Sequence, residues 1–219
     1  LYAQSFSRGA PQGPLEDRGA VQNRRGTTLR FHPDPQIFGA GARFHPGRLY
    51  RLARSKAYLF RGVEIRWSCA PDLLSDKDDT PTEAVLRFPG GLADFLSETL
   101  KDRVCATAAP FAGQATFPDR AGKVEWAVAW PEFGEGQAAI YCNTVPTPQG
   151  GTHENGLKFA LLKGLRAHAE RVGNKRAEKL TAEDVYAHAT VMLSVFITEP
   201  QFQGQTKDKL SSPEATRLV

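Results

Sequence analysis

The sequence predicts an α+β fold in two lobes divided near residue 90, and three features of the chain predict it. Val124–Trp130 alternates strictly, with Val124, Trp126, Val128 and Trp130 on one side and Glu125, Ala127 and Ala129 on the other, the signature of a half-buried strand. Leu157, Leu161, Leu165 and His168 recur every three to four residues, which makes a helix ending near Gly173. Gly90-Gly91 separates a first set of strand and helix signals from a second, and we take it as the domain boundary.

The elements follow in order. Gly9, Pro11, Gly13, Pro14 and Gly19 punctuate residues 1–26 and predict a hairpin-like excursion. Thr27–His32 has strand composition, and Pro33-Asp34-Pro35 closes it. Pro46 opens a helix with Leu49, Leu52, Ala53 and Ala57 on one face and Arg48, Arg51 and Arg54 largely off it. Gly62 ends that helix, Val63–Trp67 is the next strand, and the acidic stretch Asp72–Thr82 is a solvated hairpin tip. Past the glycine pair, Leu92, Phe95, Leu96 and Leu100 mark a short helix, and the pair is read as a hinge with few apolar residues around it. Ala138–Val145 forms a second strand in this lobe. Thr181-Ala182-Glu183-Asp184 is a capping box with Asp in the place of Glu, opening a short helix before the β-rich run Thr190–Thr198.

Composition narrows the class. With 41% hydrophobic and 24% charged residues in 219, the chain is neither a disordered tail nor a collagen-like repeat. A net charge of +4 and a pI near 9.0 fit an anionic partner without demanding one. Cys69, Cys105 and Cys142 form neither a CxxC pair nor a zinc spacing, so they read as reduced thiols. No run approaches the roughly 18 apolar residues of a membrane span, and no signal-peptide pattern is present. The expectation is a soluble, cytoplasmic protein without a membrane partner. The abrupt start at Leu1-Tyr2-Ala3-Gln4, without Met, suggests a piece of something longer.

Three stretches carry candidate chemistry, each beside a plainer alternative. Pro148–Gly156 lies between a strand and a helix. Its paired glycines suit an anion-binding turn, but with neither GxGxxG nor GxxxxGKT matched the residues favour a structural turn with Thr152 as N-cap. His153 and Glu154 there are an acid–base pair or simply structural. The loop Pro200–Leu210 sets Gln205, Lys207 and Lys209 on a flexible segment that Gly204 lets turn sharply; an amide and an ammonium suit a phosphate, and a solvated loop is the other reading. Asn174–Lys179 is a basic cluster that fits DNA phosphates or an exposed interhelical loop, with no aromatic residues for base stacking.

Motif by motif, the chain resembles a known family. Ile140-Tyr141-Cys142-Asn143-Thr144-Val145-Pro146-Thr147-Pro148-Gln149-Gly150-Gly151-Thr152-His153, followed by Asn155-Gly156-Leu157, is similar to the transducer domain of bacterial type II DNA topoisomerase B subunits. So are Pro200-Gln201-Phe202, Gly204-Gln205-Thr206-Lys207 and Leu210-Ser211-Ser212. Gly26-Thr27-Thr28-Leu29-Arg30-Phe31 with Pro33 resembles the strand that closes the nucleotide pocket of the family's GHKL ATPase domain. The motifs stand in family order over nearly the whole chain. The form of the Thr147–Leu157 motif and Ser211-Ser212 look like the topoisomerase IV branch, with gyrase B as the alternative.

The resemblance implies that residues 1–90 are the C-terminal part of a GHKL domain and 91–219 a C-terminally truncated transducer domain. The latter has the fold of ribosomal protein S5 domain 2, which contains a left-handed βαβ crossover. It implies that Lys207 contacts the γ-phosphate of ATP with Gln205 beside it, both catalytic, that Thr27 joins the polar network under the adenine, and that Leu29 lines its floor. It further implies ATP and Mg2+ as cofactors, and as partners a DNA duplex, a topoisomerase A-type cleavage subunit and a second copy that dimerises on binding ATP. The family's general-base glutamate, magnesium-binding asparagine, adenine-reading aspartate and glycine-rich lid match no position here, so no metal ligand is assigned and the chain alone is expected to be inactive. A non-enzymatic nucleic-acid-binding module of S5-like fold is the reading from another class; it has no need of both Thr27 and Lys207.

Overall fold

The computed structural model describes residues 1–23, 25–74, 79–118 and 122–219. By the density of its internal contacts the chain forms two compact units, Leu1–His45 and Pro46–Val219. In the first, β1 (Tyr2–Ala3), β2 (Phe6–Ser7), β3 (Ala10–Pro11) and β4 (Glu16–Asp17) make the expected hairpin, β1 pairing with β4 and β2 with β3. The strand expected over Thr27–His32 is absent. Those residues form no ladder and are exposed. Strand composition alone does not make a strand, because its backbone N–H and C=O groups need a neighbouring edge, and none within this unit takes them. Asp34 instead caps a single turn, α1 (Pro35–Phe38), accepting from the Gln36 amide at 2.8 Å.

The second unit opens with α2 (Pro46–Leu59), where Pro occupies the first position without loss, since that N–H has no helical partner. Its buried face differs from the one expected. Ala57, Tyr58 and Leu59 are buried, whereas Leu49 and Leu52 are exposed. The helix packs through Tyr50 and Ala53 as well as its last turn, against β5 (Glu64–Ser68), β6 (Glu83–Arg87) and α3 (Leu92–Thr99), with Tyr50 and Trp67 of β5 in edge contact at 5.5 Å between ring centroids. β5 and β6 pair antiparallel as a hairpin, with Glu64 opposite Arg87. Of the solvated tip expected over Asp72–Thr82, Asp72 and Leu73 are exposed but Thr80 is buried, a correction, because it lies where the chain returns to the hairpin; residues 75–78 lie outside the described residues.

The main sheet has five strands in the order β10-β9-β11-β8-β7, from β7 (Phe111–Thr116), β8 (Gly122–Ala129), β9 (Gln137–Cys142), β10 (Val145–Pro146) and β11 (Thr190–Ile197). Between β10 and β11 run α4 (Thr152–Arg171), a 3-10 segment (Lys175–Lys179) and α5 (Ala182–Tyr186); α6 (Ala215–Leu218) follows β11. β9 and β11 are parallel neighbours, so the chain crosses between them by way of α4. The expected continuous strand Ala138–Val145 breaks at Asn143 and Thr144, whose φ angles of 48° and 65° turn the backbone into β10. The capping box is present: Thr181 Oγ1 accepts from the Asp184 amide at 3.2 Å and Asp184 Oδ2 from the Thr181 amide at 2.8 Å.

β8 is buried on both faces, a correction to the half-buried strand expected. Val124 and Val128 join the cluster of Ile140, Leu157, Leu193 and Val195 beneath α4. Ala127 and Ala129 join a second cluster of Tyr58, Leu86, Phe88, Leu92 and Leu96. Each fully buried Leu or Val contributes about 1.5–3 kcal/mol, so both faces of the strand are anchored. The second cluster draws residues from both sides of Gly90-Gly91. That glycine pair therefore lies beside buried Phe88 and Leu92 rather than among few apolar groups, contrary to the expectation.

Candidate functional site: a lysine loop mounted on a glycine turn

Pro200–Leu210 leaves β11 and forms a loop whose root is fixed and whose tip is exposed. Phe202 and Leu210 make an antiparallel bridge, the Gln203 amide donates to the Lys209 carbonyl at 2.9 Å, and the Ser211 amide donates to the Gln201 carbonyl at 2.8 Å. Below them Ser212, fully buried, accepts on its hydroxyl from the Gln201 amide at 2.8 Å. At the tip, Gly204 takes φ 79° and Lys207 φ 59°. The latter is an uncommon backbone state for a residue with a Cβ, and it occurs at the lysine expected to meet a phosphate. Gln205 and Lys207 are brought together on this tip, both exposed. The Lys207 ammonium stands 5.7 Å from the Phe202 ring centroid, within reach of a cation–π attraction.

The Gly150-Gly151 turn holds the loop. The Gln149 amide donates to the Asp208 carbonyl at 3.0 Å, the Leu210 amide to the Gly150 carbonyl at 3.1 Å, and the Thr152 amide to the Leu210 carbonyl at 3.1 Å. The Gly150 amide donates to the Thr147 carbonyl at 2.8 Å. The Gln149, Gly150 and Thr152 amides are spent within the protein, and the Glu154 carboxylate sits over Gly150, where a Cβ would lie 1.7 Å from its Oε2. Three amides bonded internally and a carboxylate over the turn favour the structural reading of it. Thr152, however, is not the N-cap. That place falls to Gly151, with φ 139°, and Thr152 begins the helix with its hydroxyl buried and without a hydrogen-bond partner among the described residues.

His153 is buried with no exposed surface. Thr147 Oγ1 lies 3.2 Å from the Ile140 carbonyl and 3.2 Å from His153 Nε2. The hydroxyl links the carbonyl to the neutral ring. Nδ1 has no partner among the described residues. Burial holds the imidazole down at about 4 against an ordinary 6.5, and neighbouring Glu154 offsets only part of this. The ring is a structural tie between β9 and α4, and Glu154 pairs instead with Lys158 at 3.2 Å.

The other expected residues lie elsewhere. Thr27 and Leu29 belong to the first unit and are exposed, Leu29 by 82%. Lys175–Lys179 is a short 3-10 segment. Among the described residues, no group of three or more His, Cys, Asp or Glu side chains is placed to hold a metal ion, and no helix is long and apolar enough to cross a membrane. Sequence reasoning missed Glu125, whose Oε1 accepts from Arg61 Nη2 at 2.8 Å and from the Leu92 amide at 3.0 Å. Its partners stand 64 and 33 residues away, so no local pattern signals it.

Against known proteins, the sequence model of the family described as DNA gyrase B matches residues 91–219, more than half of the chain. The chain belongs to the DNA gyrase B family. Within the family it is 54% identical over its whole length to the B subunit of DNA topoisomerase 4 from Bartonella bacilliformis and 54% identical to that from Caulobacter vibrioides. It covers 32% of each, so it spans about a third of the curated relatives it matches. Among solved structures, the 43K ATPase domain of Thermus thermophilus gyrase B, crystallised with an aminocoumarin, superposes with a TM-score of 0.79 at 29% identity, over 99% of this chain and 56% of that one. The topoisomerase IV ATP binding domain of Francisella tularensis, in complex with a small-molecule inhibitor, gives 0.73 at 29% identity, over 98% and 56%. The α+β fold is thus the one these family members share.

Proposed function

We propose that the chain is a segment of the B subunit of an ATP-driven type II DNA topoisomerase of the topoisomerase IV kind. In this reading it senses the γ-phosphate of ATP and passes gate closure on to DNA strand passage. Residues 1–90 are then the C-terminal part of the ATPase domain and 91–219 the transducer, a division supported by the family match beginning at residue 91. Thr27 and Leu29 serve the adenine, and Gln205 and Lys207 serve the phosphate. The partners are a DNA duplex, an A-type cleavage subunit and a second copy of the B subunit.

The observation that carries the reading is the loop: a pinned root with an ammonium and an amide exposed at its tip. That donor set fits a phosphate, Lys as a compact point charge and Gln as a neutral donor. An ammonium at the γ-phosphate offsets charge that shifts during transfer and makes the loop's position depend on whether that phosphate is present. Mg2+ would neutralise phosphate charge in the full-length protein, and the described residues supply no ligand cluster for it. Lys207→Ala in a full-length protein carrying this segment is expected to lower ATP turnover on the order of 10²–10³-fold. Nucleotide binding should weaken far less, because the adenine contacts remain. Lys209→Ala should be mild, since it keeps the carbonyl that Gln203 uses. Equal behaviour of the two variants overturns the assignment.

A further inference from the structure

The glycine turn and the lysine loop meet too closely for their contact to be incidental. A Cβ built on Gly151 would stand 2.2 Å from the Leu210 carbonyl oxygen and 2.7 Å from its nitrogen, and both are backbone atoms that cannot swing aside. Gly151 also takes φ 139°, a state that side chains rarely adopt. Leu210 is fully buried and its amide and carbonyl are both committed to this turn, so the loop's second leg is clamped directly against the start of α4. Its first leg is clamped by buried Ser212 through the Gln201 amide. Thr147 and His153 tie the same helix end to β9.

We propose that Gly151 and Ser212 are positioning residues for Lys207: together they make the root of its loop and the N-terminal turn of α4 one rigid body. Displacement of Lys207 by a phosphate is then carried into the 20-residue α4 rather than absorbed by loop bending. The role assigned to Lys207 rests on the function proposed above; the rigid mount does not.

The test separates the two. In the 219-residue chain, amide hydrogen exchange is followed at Gln203, Leu210 and Ser211, whose amides the mount holds, and in the interior of α4 for Gly151→Ala and Ser212→Ala. Loss of one loop clamp is expected to speed exchange at these three amides by about fivefold or more, with the α4 interior unchanged. If Gly151→Ala fails to fold, Ser212→Ala decides alone, since it removes one hydroxyl and adds no atom. Unchanged exchange at all three in a folded variant overturns the mount. In a full-length protein the same variants are expected to lower kcat for ATP while KM stays within about twofold, the mark of an interaction made in the transition state. A loosened loop with unchanged kcat keeps the mount but overturns its positioning of Lys207; the phosphate role itself is decided by Lys207→Ala. A rise in KM with kcat unchanged overturns positioning in the transition state.

Discussion

The phenolic oxygens of Tyr58 and Tyr141 lie 2.6 Å apart, one hydroxyl donating to the other and joining the end of α2 to β9. Tyr58 is 5% exposed, and burial together with its partner pushes its ionisation well above the ordinary range, so it stays neutral. Removing either hydroxyl leaves the other without its mate. Tyr58→Phe and Tyr141→Phe are each expected to cost about 0.5–1.5 kcal/mol. The double variant should cost less than their sum, because the second substitution removes a group already orphaned. Urea unfolding of the four proteins measures the coupling, and strict additivity refutes it.

Glu125 is a second tie between the same parts of the fold. Its carboxylate holds Arg61 and the first amide of α3 together, and its side chain is only 15% exposed. Glu125→Ala is expected to destabilise by about 2–3 kcal/mol, the scale of charged hydrogen bonds lost from a largely buried site. Glu98→Ala breaks an ion pair to Arg54 of the same 2.8 Å length but with a 55% exposed carboxylate, and should cost less than about 1 kcal/mol. Equal losses in thermal or urea unfolding would remove the distinction. These ties and the cluster across Gly90-Gly91 make that pair a poor place for free rotation, so any change of angle there must first break Tyr58–Tyr141 and Arg61–Glu125.

His153 gives the protein a defined acid weakness. Its folded value of about 4 lies below the ordinary 6.5, so between these the unfolded chain binds the extra proton and stability rises with pH. The loss begins as pH falls below about 6.5, reaches about 3 kcal/mol near pH 4, and grows no further below that. Unfolding free energies from pH 7 to 4 for the wild type and His153→Gln isolate the contribution from that of the carboxylates. Parallel curves would show that His153 does not titrate on unfolding.

The chain alone, supplied with ATP and Mg2+, is expected to turn over no nucleotide above a Lys207→Ala control. Hydrolysis needs a positioned base and a metal, and the family's residues for both match no position of this sequence. A phosphate-release assay decides it, and turnover above the control overturns it.

Much of the second unit was legible in the sequence because its signals are local. The capping box at Thr181–Asp184, the periodicity of α4 and the strand β11 each follow from neighbours within a few residues. The errors share a cause: they depend on partners distant in sequence. Ala127 and Ala129 read as the neutral side of β8, and only α3 and α2 packing there make it a second interior face. Thr27–His32 has the residues of a strand, yet pairing needs an edge that composition does not encode. Thr152 lost the cap to Gly151 because Leu210, far along the chain, comes so close that only glycine fits. At the candidate site, Gln205 and Lys207 were found through their motif, while the buried clamp of Ser212 and Leu210 that holds them is a matter of packing.

None of the described residues from 1 to 45 is buried, although Tyr2, Phe6, Leu15, Leu29, Phe31, Ile37 and Phe38 all fall among them, each at least 60% exposed. A stretch of that kind gains almost nothing from water exclusion to set against its own conformational freedom. In the 219-residue chain these side chains form an unfinished surface, one that any apolar partner able to cover them would complete.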